Sequence, residues 1–468
     1  MFKFLKIMLY LGGFCFGLLI PAAVILLLLL HSATFKQHLE ARFSETFSRE
    51  IRIHGPLQLT YLHGLQFTMH DLHMRIQDTD IAAAGMISVG IDLWPLLQGE
   101  IRLNKLEVQD PLVNVVHYAD GSFNFVRPYP HVTLKLARIT ITNANIHFAD
   151  TLAAGEYSAT ACNFELLAPT PVDRAALNNF AMLDIAANLD CKELHKNDFT
   201  LANVKLALTG NNGKFRFAPV TMQLFGANAT ATVLADLGGT APHYELEYAL
   251  PQFPVGDFIA RLAPQHSATG TMDFSAHLFA QGESLPQLKQ TLAGQLSLQG
   301  KDLTINGSNL DEQFARYETS QHFNLVDAGA FLLAGPLGLV ATKGFDFANI
   351  FLASGASSAI PAVISQWTIK DGIAQADDVA MTTRENLLAL KGELDFPNGQ
   401  FKDMTIALLD KQGCVRVAQA VGGSFQHPDM PKPAFLKSLA GPMLALLHKL
   451  AADEDCKVFY SGSLAVPQ

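Results

Sequence analysis

Tyr244-Glu245-Leu246-Glu247-Tyr248-Ala249-Leu250 puts Tyr244, Leu246, Tyr248 and Leu250 on one side of an extended chain and Glu245 and Glu247 on the other. Such a segment is a strand with one face for apolar neighbours and one for water. The same reading extends outward. Val204 to Leu208, Thr221 to Phe225 and Ala227 to Leu234 are strand candidates before it, and Glu50 to His54, Leu57 to Leu59, Leu65 to Met69 and Met74 to Ile76 alternate nearer the amino terminus. Within Ile101 to Val108, Ile101 and Leu103 share one parity while Leu106 and Val108 share the other. A bulge near Asn104-Lys105 is therefore required if one face stays buried. Gly55-Pro56 and Lys370-Asp371-Gly372 read as turns, and Arg138 to Phe148 reads as a hairpin around Asn143-Ala144-Asn145.

Helical signals are few. Phe35, Leu39, Phe43 and Phe47 recur every four residues, a stripe suited to lie along a membrane or to cap the first sheet. Short helices are expected at Leu93 to Leu97 and at Phe253 to Phe258. After the extended connector His427 to Pro433, the residues Leu436, Leu439, Met443, Leu446, Leu447 and Leu450 form an amphipathic pattern interrupted by Gly441-Pro442, and Cys456 to Tyr460 reads as a final strand.

At the amino terminus, Ile7 to Leu30 carries no charge and follows Lys3 and Lys6. At about 1.5 Å per residue this run spans roughly 36 Å, enough for a hydrocarbon core of about 30 Å. A cleaved signal peptide would have a shorter core and a small-x-small site, and Leu29 to Thr34 offers a poor one. An uncleaved anchor is the expectation. Lys36, Arg42 and Arg49 balance Lys3 and Lys6, so charge alone does not orient the chain.

Charged residues make up 16% of the sequence, against roughly 25% in an ordinary soluble domain, so the chain must bury or shelter an unusual share of apolar surface. The net charge of -10 has no block of like charges behind it, which argues against nucleic acid as a partner. Of five cysteines, Cys15 lies in the expected anchor. Cys162, Cys191, Cys414 and Cys456 make an even set that suits an oxidising compartment, with Cys162 to Cys191 and Cys414 to Cys456 the sequence-local pairing among three possible ones.

Groups that converge for catalysis are not apparent. His70-Asp71-Leu72-His73 is the most metal-like cluster, yet in a regular strand His70 and His73 point to opposite faces, and no HExxH spacing occurs. Gly335-Pro336-Leu337-Gly338 lacks the phosphate-loop Gly-Lys-Ser/Thr, no GxSxG is present, and Asp377-Asp378 and Asp78-Thr79-Asp80 read as solvated turns. The expectation is no catalytic residue, no metal, no cofactor and no enzymatic activity.

The segments Ser48 to Leu57, Trp94 to Ile101 and Asp110 to Phe125, in that order after an anchor, together resemble the amino-terminal region of the AsmA family. Ser267 to Leu285 followed by Leu292 to Leu298, then Trp367 to Asp378 and Leu388 to Phe396, look like that family's carboxyl-terminal module. About residues 150 to 250 are left to strand pattern alone. The resemblance implies one inner-membrane helix with the bulk of the chain in the bacterial periplasm. It also implies similarity to bridge-like lipid transporters, whose β-grooves shelter acyl chains. The alternation fits ordinary two-sheet cores equally well, so the groove rests on the resemblance.

The fold expected on this basis is mainly β: a single transmembrane helix, then an elongated, curled antiparallel β-sheet groove with a few short helices and a carboxyl-terminal capping helix. Its parts would be 1–31 tail and anchor, 32–128 amino-terminal module, 129–250 middle β region, 251–427 carboxyl-terminal module, and 428–468 linker, capping helix and last strand. Phospholipid and the inner membrane are the implied partners, with outer-membrane or envelope proteins as further ones, and the implied role is lipid transport and outer-membrane biogenesis. Tyr244, Leu246, Tyr248, Leu250, Met272, Phe274 and Leu278 are the lipid-facing candidates. The rival reading is a periplasmic assembly factor that binds outer-membrane proteins through exposed sheet edges.

Overall fold

A computed structural model describes residues 33–60, 65–92, 94, 102–124, 133–151, 155–172, 183–197, 199–262, 267–307, 309–320, 357–425, 427–429, 434–435 and 458–467. The expected anchor Ile7 to Leu30, the Gly335 to Gly338 stretch and the capping helix over Leu436 to Leu450 lie outside these residues, as does all but Trp94 of the helix expected at Leu93 to Leu97. Among the described residues no helix is long and apolar enough to cross a membrane. The chain is mainly β and divides into two compact units, Met1–Phe215 and Arg216–Gln468.

The first unit opens with helix α1 (Ala33–Phe47). It continues through β1 (Glu50–Ile53), β2 (Leu57–Thr60), β3 (Leu65–Ile76), β4 (Thr79–Ile91), β5 (Arg102–Gln109), β6 (Leu112–His117), β7 (Thr133–Asp150), β8 (Gly155–Val172), β9 (Ile185–Lys196) and β10 (Phe199–Asn211). β1 and β2 lie end to end along β3, which pairs with β4. β5 and β6 lie end to end between β4 and β7, and β8, β9 and β10 follow as antiparallel neighbours. Both β5 and β6 run parallel to β7, so the sheet is mixed rather than antiparallel throughout. The cause is the connection between His117 and Thr133, which returns the chain to start β7 in the same direction. The register shift expected near Asn104-Lys105 is present, between Leu103 and Lys105.

A row of irregularities crosses this sheet. Asp71, Asp110, Asn143, Ala161 and Asn203 all have left-handed backbone conformations, with φ of 55°, 48°, 54°, 48° and 51°. Asn and Asp tolerate that region better than most residues. The left-handed residue at each point resets the side-chain parity of its strand, while the pairing of β3 with β4 keeps its register through Asp71. In β3, for example, Met69, Leu72 and Met74 pair with Ile87, Ala84 and Ala82 and lie on the same side, although their spacing is not even.

Two expectations are corrected by this row. Asn143-Ala144-Asn145 is not a hairpin turn, because β7 runs straight through it as one long strand with a bulge. His70 and His73 do not face opposite ways, because the left-handed backbone at Asp71 resets the strand's parity, as Met69 and Leu72 packing in one cluster also shows.

In the second unit, after β11 (Lys214–Leu224), β12 (Ala227–Asp236) and β13 (His243–Pro254) lead to helix α2 (Val255–Leu262). Then come β14 (Ser267–Gln281), α3 (Leu285–Thr291), β15 (Ala293–Asn306), α4 (Leu310–Ser320), β16 (Ser358–Lys370), β17 (Ile373–Thr382), β18 (Leu387–Asp395), β19 (Gln400–Leu409), β20 (Val415–Gly423), β21 (Pro428–Asp429) and β22 (Ala434–Phe435). From β12 to β20 each strand pairs antiparallel with the next, and β21 and β22 both pair with β20. The helix expected at Phe253 to Phe258 starts two residues later, at Val255, because Phe253 still pairs with Met272.

Residues 458–467 contain no strand, which corrects the expectation of a final strand in its described part. Instead Phe459 and Tyr460 pack across the sheet on Ile364, Ala380, Leu387, Ala389, Ala407, Leu409 and Ala418. The row of alanines leaves room for the two rings, so the segment is held by its rings rather than by a ladder. Asp378 accepts hydrogen bonds from the Tyr460 hydroxyl and, at 3.0 Å, from the Ser463 amide. Burial, together with Asp378, pushes the Tyr460 hydroxyl pKa up to about 12.

Candidate functional site

Directly opposed residues of paired strands lie on the same face of a sheet, so the register defines rows of side chains. In the first unit one row runs Leu59, Phe67, Val89, Leu106, Ile139, Leu166, Ala187, Leu208. The next runs Leu57, Met69, Ile87, Val108, Ile141, Phe164, Leu189, Leu206. Every member of both rows is apolar. Past the bulges a third row, Ile51, Met74, Ala82, Val113, Ile146, Ala159, Leu194, Leu201, continues the same face. At a strand spacing of about 4.8 Å each row extends roughly 34 Å across the sheet.

In the first two rows all but Leu57, Met69 and Ala187 are half-exposed. Leu39 and Phe43 of α1 pack against Ile53, Leu57 and Met69 at one end, so the helical stripe caps the first strands. The opposite face is polar. Asn188, for instance, pairs with Glu165, and the Thr68 and Ser88 hydroxyls bond each other at 2.8 Å.

Between the second and third rows Cys162 and Cys191 form a disulfide across β8 and β9. Both are buried with their row neighbours Ala144 and Val204. Next to it is a concavity of about 310 Å³ bounded by Ile146, Phe148, Tyr157, Leu194, Phe199 and Leu201. Lys196 stands beside this concavity with its Nζ 5.4 Å from the Tyr157 ring centre. Cys414 is also disulfide-bonded, and Cys456, its expected partner, lies outside the described residues.

The seven lipid-facing candidates are all in the second unit, on one face. Leu246 opposes Leu278, Leu250 opposes Phe274, and the Tyr248 and Phe274 rings are 5.8 Å apart. Their accessibility differs. Leu250, Met272 and Phe274 are 0%, 1% and 7% exposed, whereas Tyr244, Leu246, Tyr248 and Leu278 are half-exposed. The first three belong to a packed core. The row Phe253, Met272, Gly300, Val363, Met381, Leu388, Leu408, Val417 is buried along its whole length.

Helix α2 covers the Phe253 end of that row, with Val255, Phe258 and Ile259 buried and the Phe253 and Phe258 rings 5.9 Å apart. Leu310 and Phe314 of α4 are buried too, and Asp311 ties the helix to the β17–β18 turn by accepting from the Thr383 hydroxyl and, at 2.7 Å, from Asn386 Nδ2. A concavity of about 640 Å³ opens along Ala231, Tyr248, Ala276, Leu296 and Trp367, bordered by Glu247, His277, Gln295 and Asp377. Burial pushes the Tyr248 hydroxyl pKa up.

The half-exposed rows of the first unit were not among the sequence candidates. A signal for them existed in Leu65, Phe67 and Met69, but the bulges hide its continuation. Two titratable clusters also converge: His54, Asp71 and His73, and Glu245, Glu247 and His277, each set offering ligand atoms within 4.8 Å of one another.

Comparison with known proteins supplies one match: residues 127–328 fit the AsmA family model. The matched region spans β7 to β15 and passes through residues 150 to 250, where strand pattern alone had been available. No curated protein matches the chain.

Proposed function

From membership of the AsmA family, which suggests a role in envelope or lipid-related biogenesis, we propose that this chain is a non-enzymatic, inner-membrane-anchored periplasmic protein that shelters phospholipid acyl chains. It lays them on the apolar sheet face of its first unit and supports lipid transport and outer-membrane biogenesis. The observation that carries this reading is the pair of rows from Leu59 to Leu208 and Leu57 to Leu206, apolar at every position and half-exposed at most of them. Soluble monomers rarely leave so continuous an apolar surface uncovered. An acyl chain gains about 0.8 kcal/mol per methylene removed from water, and a membrane offers the same gain, so binding is near neutral between the two and needs no nucleotide energy.

The test is to extract the full chain in mild detergent and identify bound lipid by mass spectrometry. Phospholipid should accompany the wild type and fall several-fold in a variant carrying Leu106→Asp and Ile139→Asp. A folded protein that arrives free of lipid would end the proposal.

A further inference from the structure

We propose that His54, Asp71 and His73 form a binding site for one divalent transition-metal ion of the zinc type, on the polar face of the first unit beside α1. His54 follows β1, and Asp71 and His73 lie on β3. Their positions are set by the backbone. The His54 amide donates to the Asp71 carbonyl at 2.9 Å and the Gly55 amide to the His70 carbonyl at 3.1 Å. The approach at Gly55 is so close that an added Cβ would sit 2.6 Å from the His70 Cβ. Asp71 turns its carboxylate toward both rings from a left-handed backbone with φ 55°.

The donor atoms all lie within 4.8 Å of one another. Asp71 Oδ1 is 3.1 Å from His73 Nε2, Asp71 Oδ2 is 3.8 Å from His54 Nδ1, and the two imidazole rings are 5.0 Å apart. Zinc bonds of about 2.0 to 2.1 Å in tetrahedral geometry place ligand atoms roughly 3.3 Å from one another, so small side-chain rotations complete the site. Two imidazoles and one carboxylate suit zinc and its first-row neighbours and leave a coordination position for water.

The outer partner is also in place. His73 Nδ1 bonds Asp80 Oδ2 at 2.9 Å, the carboxylate–histidine arrangement that holds an imidazole with its Nε2 lone pair directed at a metal. Asp80 is itself paired with Arg75 at 3.3 Å. Helix α1 reaches the same corner, since Lys36 Nζ donates to the carbonyls of His54 and Gly55 at 3.1 Å each. An ion here would therefore clamp the first strands together where that helix is tied to them. Among the described residues the Glu245, Glu247 and His277 set shows no comparable outer partner on its histidine, and it serves as the internal comparison.

The experiment is isothermal titration of the full-length, chelator-stripped protein with zinc chloride, and with cobalt chloride for its visible absorption. One high-affinity equivalent is expected, with a tetrahedral cobalt band. His54→Ala and His73→Ala should each weaken zinc binding at least tenfold, Asp80→Asn should weaken it about ten- to a hundredfold, and His277→Ala should leave it unchanged. Circular dichroism of each variant confirms the fold, which these partly exposed side chains do not hold. Absence of the high-affinity equivalent in the wild type, or its persistence in the folded His54→Ala/His73→Ala double variant, would overturn the assignment.

Discussion

Asn143 Nδ2 donates a hydrogen bond of 2.7 Å to Oδ1 of Asp110, and both residues hold left-handed backbone conformations in neighbouring segments of the first sheet. The contact links two left-handed residues directly, and the Asn163 side chain extends the chain of contacts by accepting from the Asn143 amide at 3.0 Å. Left-handed residues placed side by side let each strand change parity at the same level. The apolar face therefore continues from Met69 and Ile141 to Met74 and Ile146 without a polar row crossing it.

Asn143→Val should accordingly be costly. A β-branched residue is strained in this region, and the bond to Asp110 is lost, so a destabilisation of about 2 to 4 kcal/mol is expected. Asn143→Gly keeps the conformation and should cost only about 1 kcal/mol. Urea denaturation of the two variants, compared with the wild type, checks both the sign and the order.

The Cys162 to Cys191 disulfide closes a loop with a sequence separation of 29 residues. Chain entropy alone then contributes about 3 to 4 kcal/mol. Cys162→Ala/Cys191→Ala should unfold at correspondingly lower denaturant. Adding reductant should shift the wild type toward the double variant while leaving the double variant less affected.

Tyr460 titrates at about 12 in the folded chain, against an ordinary 10. Its neutral form is the one the fold favours. The stabilisation is complete below pH 10, and it is lost as pH rises from 10 to 12, because the unfolded chain ionises first. Tyr460→Phe should be less stable at neutral pH, having lost its bond to Asp378, and should show a flatter stability profile between pH 10 and 12. Thermal midpoints across that range test both statements.

Much of the strand content was legible because Tyr244, Leu246, Tyr248 and Leu250 alternate with polar neighbours in an uninterrupted segment. Parity also correctly demanded a bulge beside Asn104. Asn143 was misread because a left-handed Asn serves a hairpin turn and a bulge equally well, and only the partner strand distinguishes them. The parallel pairing of β5 and β6 with β7 left no trace in local pattern, since either direction suits the same alternation.

Accessibility was not legible either. Leu250 and Leu246 share a face and a periodicity, and Leu250 is buried because it lies within the core that α2 helps to enclose, a tertiary fact. His54 joined Asp71 and His73 only through the pairing of β1 with β3.

Photocrosslinking at adjacent residues of one strand tests the central claim most directly, because Ile139 and Thr140 of β7 are one residue apart and point to opposite faces. With a photoreactive amino acid introduced at each position in the full-length chain, phospholipid adducts should form at Ile139 and Ile141 and not at Thr140. Equal labelling at all three positions, or no lipid adduct at any of them in folded protein, would contradict the account.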